Sequence, residues 1–267
     1  MKRLFALVFL SVLLPSAAHA EDILSILKRK SEMSSSALPP EINPYNYTLD
    51  VTMSGQEGKD EVPPFTAKIR VNPAASGEDR VSLISTSSPD YSEEFIAFID
   101  EIRNPEISSQ ELSEEFWCMD IGDDSEYDDL SDDDMVENLT VLSETETEAV
   151  IRLNLQRMAE ILMNSEASDD MSKSERKMME KIMARLDGEF TFSKPAGDLK
   201  EFKIWMTRPM TVKIIAKIQH MEVSQTCSLA PNGFNYTDSM SMNAQFKALG
   251  QTIAQKMDVR ISDLTLR

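Results

Sequence analysis

Glycine is scarce in this chain of 267 residues, with eight in all, and none falls in a G-x-G-x-x-G or G-K-[ST] arrangement. A loop that wraps phosphate with its backbone N–H groups needs that spacing, so nucleotide binding of those types is excluded. Histidine is scarcer still, with only His19 and His220. There is no G-x-S-x-G elbow and no recognisable motif around Cys118 or Cys227, so a nucleophile–base pair would rest on His220 alone. His220 lies in the middle of a strand-like run and reads as a sheet residue; no enzyme is expected. Basic residues are outnumbered, 27 Lys and Arg against 46 Asp and Glu. Binding a phosphate backbone requires a basic patch, and none is apparent, so no nucleic-acid partner is expected. Beyond the first residues no apolar run approaches the roughly 20 that cross a bilayer, and no transmembrane segment is expected.

The N-terminus reads as an export signal. Lys2 and Arg3 precede an apolar run from Leu4 to Leu14, and Ala18-His19-Ala20 is a small-x-small cleavage site. Cleavage after Ala20 and a periplasmic location are expected. Without those residues the chain keeps 25 basic against 46 acidic side chains, a formal charge of −21. Its two cysteines, Cys118 and Cys227, would meet an oxidising compartment, where a disulfide between them is expected. Two buried free thiols are the alternative.

Residues 21–44 read as a short amphipathic helix followed by a tether with Ser34, Ser35, Ser36, Pro39 and Pro40. A single domain is expected from 45 to 267. Tyr45, Tyr47, Leu49, Val51 and Met53 alternate with polar residues as a first strand. Phe65 to Val71 forms a second, and Arg80 to Ser85 a third. Phe95, Phe98, Ile99 and Ile102 then share one helix face, closed by Pro105. Between Asp120 and Asp134 nine of fifteen residues are acidic. This stretch does not fit a calcium-binding loop and reads as a solvated acidic loop. Leu139 to Leu142 and Ala149 to Leu153 make a hairpin. Met178, Met179, Ile182, Met183 and Leu186 make a broad helical stripe that Gly188 is positioned to end.

From Gly188 onward the chain reads as a meander of long strands: Glu189 to Ser193, Leu199 to Met206, Thr211 to Val223, Tyr236 to Ala248, and a last one through Ile253, Met257 and Ile261. Tyr236, Asp238, Met240, Met242, Ala244, Phe246 and Ala248 form one face of the fourth, with polar residues between them. Met240 and Met242 put two thioethers about 7 Å apart on one side of a strand. Soft thioethers select Cu(I), yet both continue an apolar face, and ordinary core is the preferred reading. No metal or cofactor is expected.

This order of elements resembles the periplasmic carriers of the lipoprotein-localisation (LolA/LolB-like) family, over residues 45 to 267 and by topology, without a diagnostic motif. The resemblance implies an open half-barrel, helices laid across its concave face, and a cavity for an acyl chain, an apolar peptide or a lipoprotein. The expectation is therefore an α+β fold with a strongly curved antiparallel sheet. Met179 and Met183 on the helix would face Met240, Met242 and Phe246 on the sheet around an apolar ligand. A different class is an adaptor that uses the acidic loop and the sheet surface to hold a partner.

Overall fold

The computed structural model describes residues 25–26, 45–88, 93–104, 118, 139–155, 173–194, 196–213 and 216–266. The expected signal peptide, the acidic loop 120–134, the tether and all of the short helix before it but residues 25 and 26 lie outside the described residues. In chain order the strands are β1 (Tyr45–Glu57), β2 (Asp60–Val71), β3 (Val81–Thr86), β4 (Leu139–Glu144), β5 (Glu148–Leu153), β6 (Leu186–Ser193), β7 (Leu199–Met206), β8 (Met210–Lys213), β9 (Ala216–Leu229), β10 (Asn235–Ala248) and β11 (Gln251–Leu266). The helices are α1 (Glu93–Arg103) and α2 (Lys173–Met183), and a 3-10 turn at Gly77–Arg80 leads into β3. Among the described residues the fold is thus mostly antiparallel sheet with few helices. The chain divides into two compact units: Met1–Leu38 with Asp120–Phe202, and Pro39–Met119 with Lys203–Arg267.

In the first unit β4, β5 and β6 pair in that order, antiparallel. Ala149, Ile151 and Leu153 are buried and alternate with partly exposed neighbours along β5, as their period-2 spacing requires. Phe190 stacks on Phe202 with ring centroids 6.0 Å apart. The β4–β5 turn is closed by Thr145, whose N–H donates to the Glu148 carbonyl at 2.8 Å while its hydroxyl accepts from the Glu148 N–H at 3.0 Å. Gly188 does not end the helix. Helix α2 stops at Met183, and Gly188 lies within β6, paired with Leu153. Pairing with β5 claims the segment for sheet, so the glycine serves as a strand residue.

In the second unit the ladder runs β3-β2-β1-β11-β10-β9, with β8 paired to β9 off this path. Strand β3 has β2 as its partner and ends the ladder, which no pairing closes among the described residues. Residues of odd number in β1 and β2 face a core of Tyr47, Leu49, Val51, Ile69 and Val71, onto which α1 lays Phe95 and Ile102. Phe65 meets Phe95 at 4.9 Å. Strands β10 and β11 are joined by Leu249 and Gly250 at φ 51° and 85°. Positive φ at both residues matches the twist of the strands that a two-residue hairpin joins.

Two sequence expectations are corrected here. The run from Thr211 to Val223 is not one strand but the hairpin β8–β9, with Thr211 opposite Lys217; no Gly or Pro marks the reversal. The alternation along β10 holds from Met240 onward but slips between Thr237 and Ser239. Asp238 is left over there, and Thr237 is buried against Gln225, whose Nε2 donates to its hydroxyl at 2.6 Å. A bulge is the physical cause, since one extra residue shifts which side chains face inward.

Candidate functional site

The inward face of the second unit is graded. One row across the ladder, Ala67, Val51 and Val259, is buried, and Met240 continues it on β10. The next row outward is Phe65, Met53, Met257 and Met242, each directly opposite the next on a neighbouring strand. Phe65, Met53 and Met257 are partly buried against the core, whereas Met242 is 38% exposed. Phe246 lies further along β10 opposite Ile253. An apolar face that begins as core and remains apolar where it meets solvent is an unusual use of methionine and phenylalanine, and it marks a candidate surface for apolar contact.

Of the residues expected at a site, Met240, Met242 and Phe246 share this face. Met179 and Met183 lie on α2 of the first unit, Met183 as its final residue and partly buried. Cys118 and Cys227 are joined in a disulfide with their Cα atoms 5.9 Å apart, as the compartment argument expected. Cys118 is buried, and its N–H donates to the Asn235 carbonyl at 3.1 Å. Met53, Met257 and Ile253 were not expected at the site. Their alternation was legible, but only the register brings them beside β10.

The opposite face of the same strands is wet. A groove of about 350 Å3 there is lined by Asp50, Ser224, Thr226, Ser241, Asp258 and Arg260, among others. Several of its polar groups are committed: Ser241 donates to Asp258 at 2.6 Å, Ser239 and Thr226 share a bond of 2.6 Å, and Asp50 accepts from the neighbouring Ser262 at 2.6 Å. The carboxylates are also paired, Asp258 with Lys256 at 2.8 Å and Asp50 with Lys68 at 3.2 Å. Partial burial pushes the Asp258 carboxyl up, but the hydrogen bonds from Lys256 and Ser241 and the Lys256 charge outweigh it and hold the group below its ordinary value. A lowered carboxylate contributes stability that is present above its unfolded pKa and lost as pH falls through the folded value. Ser241→Ala should therefore raise the pH at which Asp258 titrates, read by its side-chain carboxyl resonance. An unchanged titration would show that Lys256 alone sets it.

Among the described residues no group of three or more His, Cys, Asp and Glu is placed to hold a metal, and no helix is long and apolar enough to cross a membrane. A comparison with protein-family profiles returns no match, and one with curated protein sequences likewise returns none. Among solved structures, the chain is similar to a LolA superfamily protein from Nitrosomonas europaea at 10% identity, over 91% of this chain and 92% of that one, with a TM-score of 0.25. At that score the likeness carries no argument.

Proposed function

We propose that this protein is a non-catalytic, exported carrier or binding protein for an apolar ligand such as a lipid, an acyl chain or the acylated end of a lipoprotein. In this reading residues 45 to 267 act as one domain in the periplasm, a curved sheet with helices on its concave side. Met240, Met242 and Phe246 of the second unit border the ligand. The observation that carries the proposal is the outward continuation of the core face through Met53 and Met257 to the exposed Met242. Methionine suits this position because its flexible thioether adapts to guests of varied shape.

The experiment is uptake of a fluorescent fatty acyl probe, alongside native mass spectrometry of freshly isolated protein. Wild type should bind the probe and carry lipid. Met242→Arg should abolish uptake while the fold persists, since a long cationic side chain at an exposed site keeps its charge in water. A wild-type protein without probe binding or lipid would overturn the proposal.

A second reading, an adaptor for another protein, is favoured by one observation. Among the described residues strand β3 ends the ladder, and it exposes Leu83 and Ile84 at 37% and 45%. An open edge with apolar side chains is a template for an added strand. Ile84→Lys would disable such an adaptor and leave probe uptake unchanged.

A further inference from the structure

The exposed end of the core face contains an arrangement that apolar binding does not require. Met53 stands opposite Met257, and Met257 stands opposite Met242. Three consecutive positions across β1, β11 and β10 are therefore thioethers directed to one face. Opposed residues of an antiparallel ladder hold their Cβ atoms about 4.5–5.5 Å apart. With three rotatable bonds in each side chain, that spacing lets the three sulfurs converge on a single point. Met240 is two residues along from Met242 on the same face, opposite Val259, and Met221 stands opposite Ala244 on the far side.

Read along β10 alone, Met240 and Met242 are two positions of a core strand. The register supplies two further thioethers from separate strands, and this turns a sequence coincidence into a ligand geometry. The support is rigid: Phe65 stands opposite Met53 and is held against Phe95 of α1 at 4.9 Å, while Val51 and Val259 behind the row are buried. Access is provided by Met242 at 38% exposure. The row is thus packed on one side and open on the other.

The chemistry of the donor set selects the ion. Thioethers are soft and neutral, and they favour monovalent copper and silver over Zn, Ca or Mg, which take imidazole, carboxylate or carbonyl ligands. They do not titrate, so their affinity persists in acid where imidazole is protonated. The chain has two cysteines, and these are bonded to each other, so no thiolate competes. A net formal charge of −19 draws cations toward the protein.

We infer that Met53, Met242 and Met257 form a three-thioether site for a soft monovalent metal ion, Cu(I), with Met240 within reach as a fourth ligand. The site is independent of whether the same face also takes an acyl chain.

The test is titration of the full, disulfide-intact protein with Ag(I), a redox-inert stand-in for Cu(I), in chloride-free buffer, followed by native mass spectrometry and the methionine methyl resonances. One ion should bind, and the methyl signals of Met53, Met242 and Met257 should move together. The variant with Leu at all three positions keeps side-chain volume and should bind at least about tenfold more weakly. Met206→Leu with Met210→Leu, two buried positions away from the row, should bind as wild type does. Affinity should hold between about pH 7 and 5, the range in which a histidine site would fail. Should the triple variant fold poorly, the methyl shifts in wild type decide alone. Movement of methionines other than these three and Met240, unchanged binding in a folded triple variant, loss of binding in acid, or no bound ion would each overturn the site.

Discussion

Replacing Cys118 and Cys227 together by alanine should lower the stability of the protein by about 4 kcal/mol, with a fall in Tm on the order of 10 °C. The bond joins residues 109 apart in sequence, and a cross-link of that span removes much of the freedom of the unfolded chain. Its native surroundings fit it closely. Cys118 is 1% exposed, its N–H is held by the Asn235 carbonyl at 3.1 Å, and Gln225 Nε2 lies 3.4 Å from its sulfur while also donating to Thr237. Chemical denaturation of the oxidised protein, the reduced protein and the double variant provides the measurement. The reduced and variant forms should unfold at the same midpoint, well below the oxidised form. If all three coincide, the unfolded chain is already constrained between these residues and the chain-entropy argument fails.

The parts of the fold that were legible from sequence are those set by local pattern. Strands β10 and β11 follow from apolar alternation and from Gly250, which supplies a positive φ at the turn. Helix α1 follows from the spacing of Phe95, Ile99 and Ile102. The divisions that local pattern does not encode were missed. The β8–β9 reversal has no turn residue to announce it, and Gly188 reads as a helix terminator until pairing with Leu153 makes it part of β6. The slip beside Asp238 is likewise invisible, because an extra residue in one strand makes sense only against its partner.

The candidate site divides in the same way. Met240, Met242 and Phe246 could be placed on one face from alternation alone. Met53 could not be placed beside them, since it is more than 180 residues away in sequence and joins them only through β11. Register between distant strands depends on which faces can be buried together, and this is a property of the whole sheet. The same limit explains Arg80, which reads as the first residue of a strand and instead ends a 3-10 turn with its side chain buried.

Arg80→Met should destabilise the second unit by about 3 kcal/mol, because it removes the guanidinium that donates to one buried and two partly buried carbonyls. Arg80 is 4% exposed and ends the 3-10 turn before β3. Its Nε donates to the Ala75 carbonyl at 2.9 Å, and its Nη1 reaches the Ile102 and Asn104 carbonyls at 3.4 and 3.3 Å. The last two belong to the end of α1, where helix carbonyls lack intrahelical partners and the dipole favours a cation. Arg103, the last residue of α1, returns the contact by pairing with Glu78 of the 3-10 turn at 3.5 Å. One side chain therefore fixes both the turn that leads into β3 and the angle at which α1 lays Phe95 and Ile102 on the core. Methionine preserves the stem and removes the donors. Lysine keeps the charge but, as a single ammonium group, cannot span the same carbonyls, and it should fall between the two. Urea denaturation gives the stability, and hydrogen exchange locates the loss. Amides of α1 should lose protection before those of β10 and β11. Equal protection of α1 in wild type and Arg80→Met would mean that the apolar face of the helix alone holds it in place.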